Sequence, residues 1–137
     1  MANTLYDKGR QRFLEGAFNW LTDTVKCILV SSAYTPNFTT HEFLSDVSSS
    51  ARVGPTAGVS LTSKTTTGGA ADASDITFSA ISGSTVTALI LYQGNSGVES
   101  SEPLIAYIDT ATGLPITPNG GDIIVTWDNG TNRIFKL

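Results

Sequence analysis

The side chains that could perform nucleophilic catalysis in this chain are few and lie far apart in the sequence. His41 is the sole histidine, and Ser96 lies between two glycines in Gly94-Asn95-Ser96-Gly97. With Asp72 or Asp75, these residues would supply the nucleophile, the general base and the orienting carboxylate of a catalytic triad. Two glycines around a serine arise readily in a serine-rich chain, so a tight turn between strands explains the motif better.

Metal and cofactor chemistry has no firmer basis in the sequence. His41-Glu42 would need a second histidine at the position of Ser45 to form the H-E-x-x-H zinc motif. Asp72 and Asp75 lack the glycine and the third acidic residue of a calcium-binding loop. The single cysteine, Cys27, lies in an apolar run, where a small buried hydrophobic residue is the usual role. The sequence therefore predicts no metal, no cofactor and no enzymatic activity.

The elements that would position these side chains begin with one predicted helix at the N-terminus. Thr4-Leu5-Tyr6-Asp7 has the form of a capping box. Gly9 and Gly16 weaken the helix, which is expected to end between Gly16 and Asn19, and Leu21 is expected to join the core. Four apolar side chains share one helical face: Phe13, Leu14, Ala17 and Phe18.

A second capping box, from Thr39 to Glu42, predicts a single helical turn around Phe43 and Leu44. We expect residues 1–22 to form an N-terminal arm and helix, and residues 23–137 to form a β region. With 137 residues, the whole chain is expected to be a single domain.

From residue 23 onward the sequence is typical of a β protein. The unbroken apolar run Val25–Ser31 predicts a central strand that is buried on both faces. Residues 65–74 are expected to form a mobile connection, and Asn129-Gly130 predicts a hairpin between the last two strands. The predicted fold is mainly β: a single antiparallel β-sandwich or partly open barrel of about seven strands with one short N-terminal helix. The further strands are predicted at 59–64, 76–80, 85–92, 104–108, 123–127 and 133–137.

Composition restricts the class of partner. The chain contains 19 Thr and 15 Ser, whereas charged residues make up only 15% of it. A polar but weakly charged surface suits contact with other proteins, because removing a hydroxyl group from water costs less than removing a charge. The net charge of −4 argues against nucleic-acid binding. The chain offers no apolar run long enough for a membrane span, and its N-terminus is not typical of a signal peptide.

Several sequence blocks, spread along the chain, carry a family resemblance. They are Leu5-Tyr6-Asp7-Lys8-Gly9-Arg10, Phe13-Leu14-Glu15-Gly16-Ala17, Tyr34-Thr35-Pro36-Asn37, the residues from Thr40 to Val47, the residues from Pro118 to Asp122, and the residues from Ile124 to Gly130. Together these blocks resemble a family of small bacteriophage virion structural proteins of the capsid cement or decoration type.

The resemblance implies a location and a partner. It implies a protein made in the host cytoplasm that binds the outer capsid surface of the virion and clamps neighbouring subunits of the major capsid protein. It also implies a homo-oligomer, either a trimer or a dimer, on the particle. It brings no catalytic residues with it, and neither nucleic acid nor a membrane is an expected partner.

Three regions are predicted to contact that partner: the N-terminal arm Ala2–Arg12, the loop Tyr34–His41 and the segment Thr65–Ser74. A cluster of basic residues in the arm and the Thr- and Gly-rich composition of the loops motivate this choice. The candidate partner-binding residues are Lys8, Arg10, Arg12, Tyr34, Asn37, Phe38, His41, Lys64 and Thr66.

Two other functions stay open at the level of sequence. The protein could be a neck, tail or fibre-base adaptor of the virion, which copy number per particle would separate from a decoration protein. It could also be a small β module that binds glycans or another ligand, which would require a groove with exposed aromatic side chains.

Overall fold

The computed structural model describes residues 4–111 and 113–137, and within them the fold is mainly β, as predicted. There is one α-helix, α1 (Asp7–Leu14), and every pair of strands is antiparallel. The strands of these residues are more numerous and shorter than the predicted seven: β1 (Thr4–Leu5), β2 (Val25–Val30), β3 (Arg52–Val53), β4 (Val59–Ser60), β5 (Thr65–Thr67), β6 (Ala70–Asp72), β7 (Ile76–Phe78), β8 (Ala88–Gln93), β9 (Leu104–Ile108), β10 (Ile123–Val125) and β11 (Phe135–Lys136).

The largest sheet is built around β2. Its strand order is β1-β9-β8-β2-β3, and β4 also pairs with β2. The longest pairing joins β2 to β8, from Val25 opposite Gln93 to Val30 opposite Ala88. Every residue of β2 except Lys26 is buried. The prediction of a central strand covered on both faces is therefore confirmed, because successive side chains of a strand point to opposite faces.

One face of the large sheet packs against two smaller sheets, which gives a sandwich-like core. One small sheet pairs β10 with β7, and the other has the order β11-β6-β5. Cys27 and Leu29 of the large sheet belong to the same buried cluster as Phe78 and Trp127 of this second layer. Since fully burying one such side chain contributes about 2 kcal/mol, this layer is a main source of stability.

Loops and short helical turns cover the opposite face. Ile28 and Val30 belong there to a second buried cluster that includes Tyr6, Tyr34 and Leu44. The chain between β2 and β3 also contains the 3-10 turns Leu44–Asp46 and Ser49–Ala51. This segment therefore takes the place of a third layer.

No helix in the described ranges has the length and apolar character that crossing a bilayer demands.

The N-terminal helix differs from the prediction at both ends. Thr4 lies in β1, so the predicted capping box is wrong, and Tyr6 precedes the helix without a side-chain cap. The helix ends at Leu14, before the predicted limit of Gly16 to Asn19, so Ala17 and Phe18 lie outside it. Leu14 is 89% exposed and Ala17 is exposed too, so the predicted apolar face is wrong at both residues. Gly9 permits close docking on β9, since a Cβ atom there would lie 2.8 Å from the backbone oxygen of Leu104.

The predicted helical turn exists at Leu44–Asp46, but its cap is a different residue. The backbone N–H groups of Glu42 and Phe43 donate to Asp46 Oδ2 at 2.8 and 2.9 Å. Thr39 lies in the preceding turn, so the predicted capping box from Thr39 to Glu42 is wrong. Burial disfavours the Asp46 carboxylate, but the two N–H donors outweigh it and lower its pKa.

The segment Thr65–Ser74, predicted as a mobile connection, is a hairpin of β5 and β6. Gly68 and Gly69, with φ of +61° and +81°, form the two-residue turn that reverses the chain. Positive φ at both positions is the requirement of a type I′ turn, which suits the twist of the flanking strands.

The predicted hairpin at Asn129-Gly130 is wrong. β10 pairs with β7, and β11 pairs with β6, so the two strands that flank this turn belong to different sheets. The turn itself exists: Gly130 N donates to Asp128 Oδ1 at 3.1 Å, and Arg133 N donates to the Gly130 carbonyl oxygen at 3.2 Å.

A buried arginine joins three loops beneath the large sheet. The side chain of Arg52 is 1% exposed, and its guanidinium forms an ion pair of 2.8 Å with Glu99. It also donates to the backbone oxygens of Val47 (2.6 Å), Leu44 (3.1 Å) and Thr56 (3.0 Å). One side chain thus satisfies acceptors from chain segments that share no regular secondary structure.

Candidate protein-binding surface

Four aromatic side chains form a groove beside α1 and β11, which we call the aromatic groove. Phe18 and Trp20 are buried at its base, while Phe13 and Phe135 are half-buried. The rings meet edge to face: the centroids of Phe13 and Phe18 are 4.7 Å apart, and those of Trp20 and Phe135 are 5.3 Å apart. Trp20 Nε1 donates to the backbone oxygen of Asp72 at 3.1 Å, so its polar atom is satisfied. The groove has a volume of about 310 Å³.

The rim of the aromatic groove is apolar as well. Leu21 and Leu137 line it with side chains that are 52% and 64% exposed, and Thr66 of β5 lies beside them. The prediction that Leu21 joins the core is therefore wrong. Among the described residues, none of those that line the groove has a charged side chain. A volume of this size with such walls suits an apolar side chain from another molecule.

A second, more polar cavity shares Phe135 and Leu137 with the aromatic groove, and we call it the basic cleft. Its volume is about 1030 Å³, and residues of β1, β9 and the C-terminal segment line it. Of the described residues that line it, three are cationic (Arg10, Arg133 and Lys136) and one is acidic (Asp128). Phe135 lines both this cleft and the aromatic groove.

The loop Tyr34–His41 is held by a chain of hydrogen bonds. The hydroxyl of Tyr34 lies 2.8 Å from the hydroxyl of Tyr6 and 2.8 Å from His41 Nδ1. The backbone N–H of Asn37 also donates to His41 Nδ1, at 3.3 Å. Because this nitrogen accepts, Tyr34 donates to His41 and Tyr6 donates to Tyr34. Burial raises the pKa of Tyr34 to about 12, although the hydrogen bond from Tyr6 opposes the shift.

The structure brings Tyr34, Phe38 and His41 together, but as an internal network. The ring of Phe38 packs 5.3 Å from that of Tyr6 and 5.8 Å from that of Tyr107. Asn37, in contrast, is exposed, and its Oδ1 accepts the backbone N–H groups of Thr39 and Thr40. These side chains therefore cover the large sheet, and Asn37 shapes the turn that closes the loop.

The basic residues of the predicted arm do not form one patch. Arg12 Nη2 lies 3.5 Å from Glu42 Oε1, and the Arg12 guanidinium stacks 5.5 Å from the centre of the Phe43 ring. Arg10 is exposed and lines the basic cleft, whereas Lys8 is half-buried and lines neither cavity. The first residues of the arm, up to residue 3, lie outside the described residues.

Lys64 and Thr66 belong to different surroundings. The ammonium group of Lys64 donates to the backbone oxygen of Asp23, and burial lowers its pKa while the charge of Asp23 opposes the shift. Thr66 is exposed on β5 and lines the aromatic groove. Of the candidate residues named from the sequence, Thr66 lines the aromatic groove and Arg10 lines the basic cleft.

The residues considered for catalysis are engaged in local structure. Ser96 Oγ accepts the backbone N–H of Val98 at 3.1 Å, and Asp75 Oδ1 accepts that of Trp127 at 3.0 Å. Within residues 4–111 and 113–137, no group of three His, Cys, Asp or Glu side chains could hold a metal ion. Ser96 and Asp75 therefore each have a structural hydrogen bond that accounts for the position of the side chain.

Sequence reasoning missed most of the residues that build the two cavities. Phe13 was expected on the apolar face of the helix and Phe135 in the last predicted strand as a core or sheet-edge residue, and Arg133 and Lys136 were not candidates. Arg133, Phe135 and Lys136 share one sequence signal, which is the irregular alternation of charged and apolar residues from Arg133 to Leu137. That pattern is typical of any short edge strand, so it does not point to a site.

Replacing Tyr34 with phenylalanine should lower the free energy of unfolding by about 1–3 kcal/mol, because the buried hydroxyl of Tyr6 would lose its acceptor. Thermal and urea unfolding measure the change. Tyr107→Phe is the matched control, since the hydroxyl of Tyr107 makes no hydrogen bond to any described residue. Equal losses in the two variants would contradict the proposed role of the hydrogen-bond chain.

No family model matches this chain, and no curated protein matches it either. Its function is therefore inferred from its own residues and geometry.

Proposed function

We propose that this protein is a bacteriophage virion structural protein of the capsid cement or decoration type. It binds the outer shell and stabilises contacts between major capsid subunits. The observation that carries the proposal is the aromatic groove with its exposed rim of Leu21 and Leu137. Contiguous exposed apolar surface marks sites of protein contact, and the sequence blocks that resemble small virion proteins indicate the capsid as the partner.

The energetics of a groove of this kind fit a cement protein. An apolar side chain that leaves water contributes about 25 cal/mol per Å² of buried surface, so one inserted side chain gives a modest contact. Many copies act on the same shell, and an oligomer that bridges subunits gains further from its linked contacts. Each copy therefore needs only a small interface to raise the stability of the particle.

An exposed strand edge lies directly beside the groove. β5 is an outer strand of its sheet, and Thr65, Thr66 and Thr67 are all exposed. The outer backbone groups of such a strand are able to pair with an extended segment of another protein. Threonine favours this pairing, since its branched Cβ suits a pleated sheet and its hydroxyl tolerates partial burial. The edge and the groove therefore support a single continuous contact.

The direct test uses phage heads that lack this protein, prepared from a phage in which its gene is disrupted. Purified protein is added to the heads, and bound copies are counted by quantitative mass spectrometry and located by cryo-electron microscopy. A shell protein should bind in on the order of hundreds of copies, whereas about a dozen or fewer would assign it to the neck or tail. Absence of binding to heads and to complete particles would overturn the proposal.

Replacing Leu21 with glutamate tests the groove itself. A carboxylate at the rim would have to lose its water when the partner binds, so we expect occupancy of the heads at a subsaturating concentration to fall about tenfold. Val98→Glu is the matched control, because Val98 is 54% exposed and does not line the groove. Unchanged occupancy for Leu21→Glu, with a normal melting temperature, would exclude the groove as the contact.

A further inference from the structure

We infer that the basic cleft binds an acidic, extended segment of a neighbouring polypeptide, and that Arg133 and Arg10 pair with its carboxylates. The inference rests on the proposed function, because it identifies the neighbour as another subunit of the virion. It assigns a second contact, in a cavity that shares Phe135 and Leu137 with the aromatic groove.

Charge is the first reason for this occupant. Asp72, which lies 3.5 Å from Arg133, offsets one cationic charge at the cleft, while the described side chains that line it are three cations and one carboxylate, against a net charge of −4 for the whole chain. That carboxylate, on Asp128, already accepts the backbone N–H of Gly130 at 3.1 Å. A local excess of positive charge in an acidic protein complements a partner with negative charge.

The backbone of Arg133 is the second reason. Its φ is +51°, in the left-handed region that glycine and asparagine occupy far more readily than arginine. Strain of this kind persists where the surrounding structure holds the residue in place, and ligand contacts are a frequent place for it. The guanidinium is held by Asn129 Oδ1 at 3.3 Å and by Asp72 Oδ2 at 3.5 Å, and the side chain is 43% exposed. Arg133 is therefore oriented by its neighbours and still accessible at the cleft.

The remaining walls favour a polypeptide over a small ion or a nucleic acid. A volume of about 1030 Å³ exceeds the space that one anion needs. Hydroxyl and amide side chains, among them Thr126 and Asn132, suit the N–H and C=O groups of a peptide backbone, and Leu5 and Ile108 suit its apolar side chains. The overall negative charge repels a polyanion such as a nucleic acid, because its charges extend well beyond the cleft.

The binding test uses NMR titration of the full ¹⁵N-labelled chain. The probe is a synthetic peptide that alternates glutamate with threonine. We expect shifts at Arg10, at residues 128–136 and at β9, and affinity that falls as salt is added. In Arg133→Asn the affinity should fall about tenfold, the loss of one charge-assisted pair. Asparagine tolerates the left-handed backbone, so this variant should fold at least as stably as the parent chain.

Three controls keep the outcome decisive. Lys8→Gln makes the same change in net charge at a residue that does not line the cleft, so it should leave the affinity within twofold, roughly the limit of a screened distant charge. A peptide with glutamine in place of glutamate should bind far more weakly. Equal losses in Lys8→Gln and Arg133→Asn, equal binding of the two peptides, shifts outside the cleft, or no binding of the acidic peptide would each overturn the inference. Competition by inorganic phosphate against the acidic peptide at equal concentration would also overturn the inference, because it would show that the cleft is a site for small anions.

Loading of phage heads separates this inference from the proposed function. If the parent chain binds heads and Arg133→Asn binds them with the same affinity and salt resistance, the cleft is not the contact, and the proposed function stands. If the parent chain binds neither heads nor complete particles, the proposed function fails. We expect Arg133→Asn to load the heads but to dissociate at a lower salt concentration than Lys8→Gln.

Discussion

Replacing Arg52 with alanine is expected to lower the free energy of unfolding by about 3–5 kcal/mol, because several backbone acceptors would each lose a buried donor at a cost of about 1–3 kcal/mol. The loss would come from several acceptors at once. The backbone oxygens of Val47, Leu44 and Thr56 would each lose a donor within a region that water reaches poorly. Urea unfolding followed by tryptophan fluorescence measures the change, since Trp20 and Trp127 are both buried.

Two further variants test the cause of that loss. Arg12→Ala removes an arginine whose side chain is 28% exposed, against 1% for Arg52, so it should cost about 0–1 kcal/mol. Glu99→Gln leaves Arg52 and its backbone acceptors in place, and the side chain of Glu99 is 48% exposed. Its effect should therefore be clearly smaller than that of Arg52→Ala. Losses of equal size in all three variants would contradict this account.

The pH dependence of the Glu99 contribution has a definite sign. The hydrogen bond from Arg52 holds the pKa of Glu99 below its usual value. Because the folded-state pKa is depressed, the ion pair contributes fully above the unfolded-state pKa of about 4.3 and is lost as the pH falls through the folded-state value. The difference in stability between the parent chain and Glu99→Gln should therefore be constant near neutral pH and disappear in acid.

Replacing Gly58 with alanine is expected to cost about 4 kcal/mol or more, which is exceptional for the addition of one methyl group. A Cβ atom at this position would lie 2.0 Å from the carbonyl oxygen of Cys27, and φ of Gly58 is +71°. The oxygen belongs to the backbone of β2, and the added Cβ would be fixed to the backbone just before β4. Neither can move away without disturbing the pairing of β2 with β4. The sheet would have to separate at its central strand.

Gly68→Ala separates the two causes of that effect. Gly68 also has positive φ, at +61°, but no atom lies within 4 Å of the position where its Cβ would be. This variant should therefore cost only the conformational strain, about 1–2 kcal/mol. The comparison is made by urea unfolding at one temperature. A similar loss in both variants would show that φ alone is responsible and that the contact with Cys27 is unimportant.

The strands that could be predicted from the sequence are those defined by their own composition. The predicted limits of the strand Leu104–Ile108 agree with the structure, and those of β2 agree to within one residue. Both are apolar runs bounded by polar residues, and burial on two faces requires little more than that. The helix was predicted from one amphipathic pattern, and it ends at Leu14, before the predicted limit of Gly16 to Asn19, with Leu14 and Ala17 exposed.

Pairing could not be predicted, because it depends on residues that are distant in sequence. Asn129-Gly130 carried a strong local signal for a hairpin, yet each flanking strand finds its partner near residue 70 or 76. Gly68-Gly69 had the composition of a two-residue turn, but the threonines before it resembled a flexible connection. The aromatic groove joins residues 13–21, 66–71 and 135–137, and no local pattern links those three segments.

The single thiol of this protein gives it an internal reporter of unfolding. Cys27 is 0% exposed on the central strand, and burial raises its pKa well above that of a free cysteine. A thiol reagent can react with it only after the strand has separated from its neighbours. The rate of modification at neutral pH therefore measures how often the middle of the molecule opens, and a partner that binds the folded form should slow that rate in proportion to its occupancy.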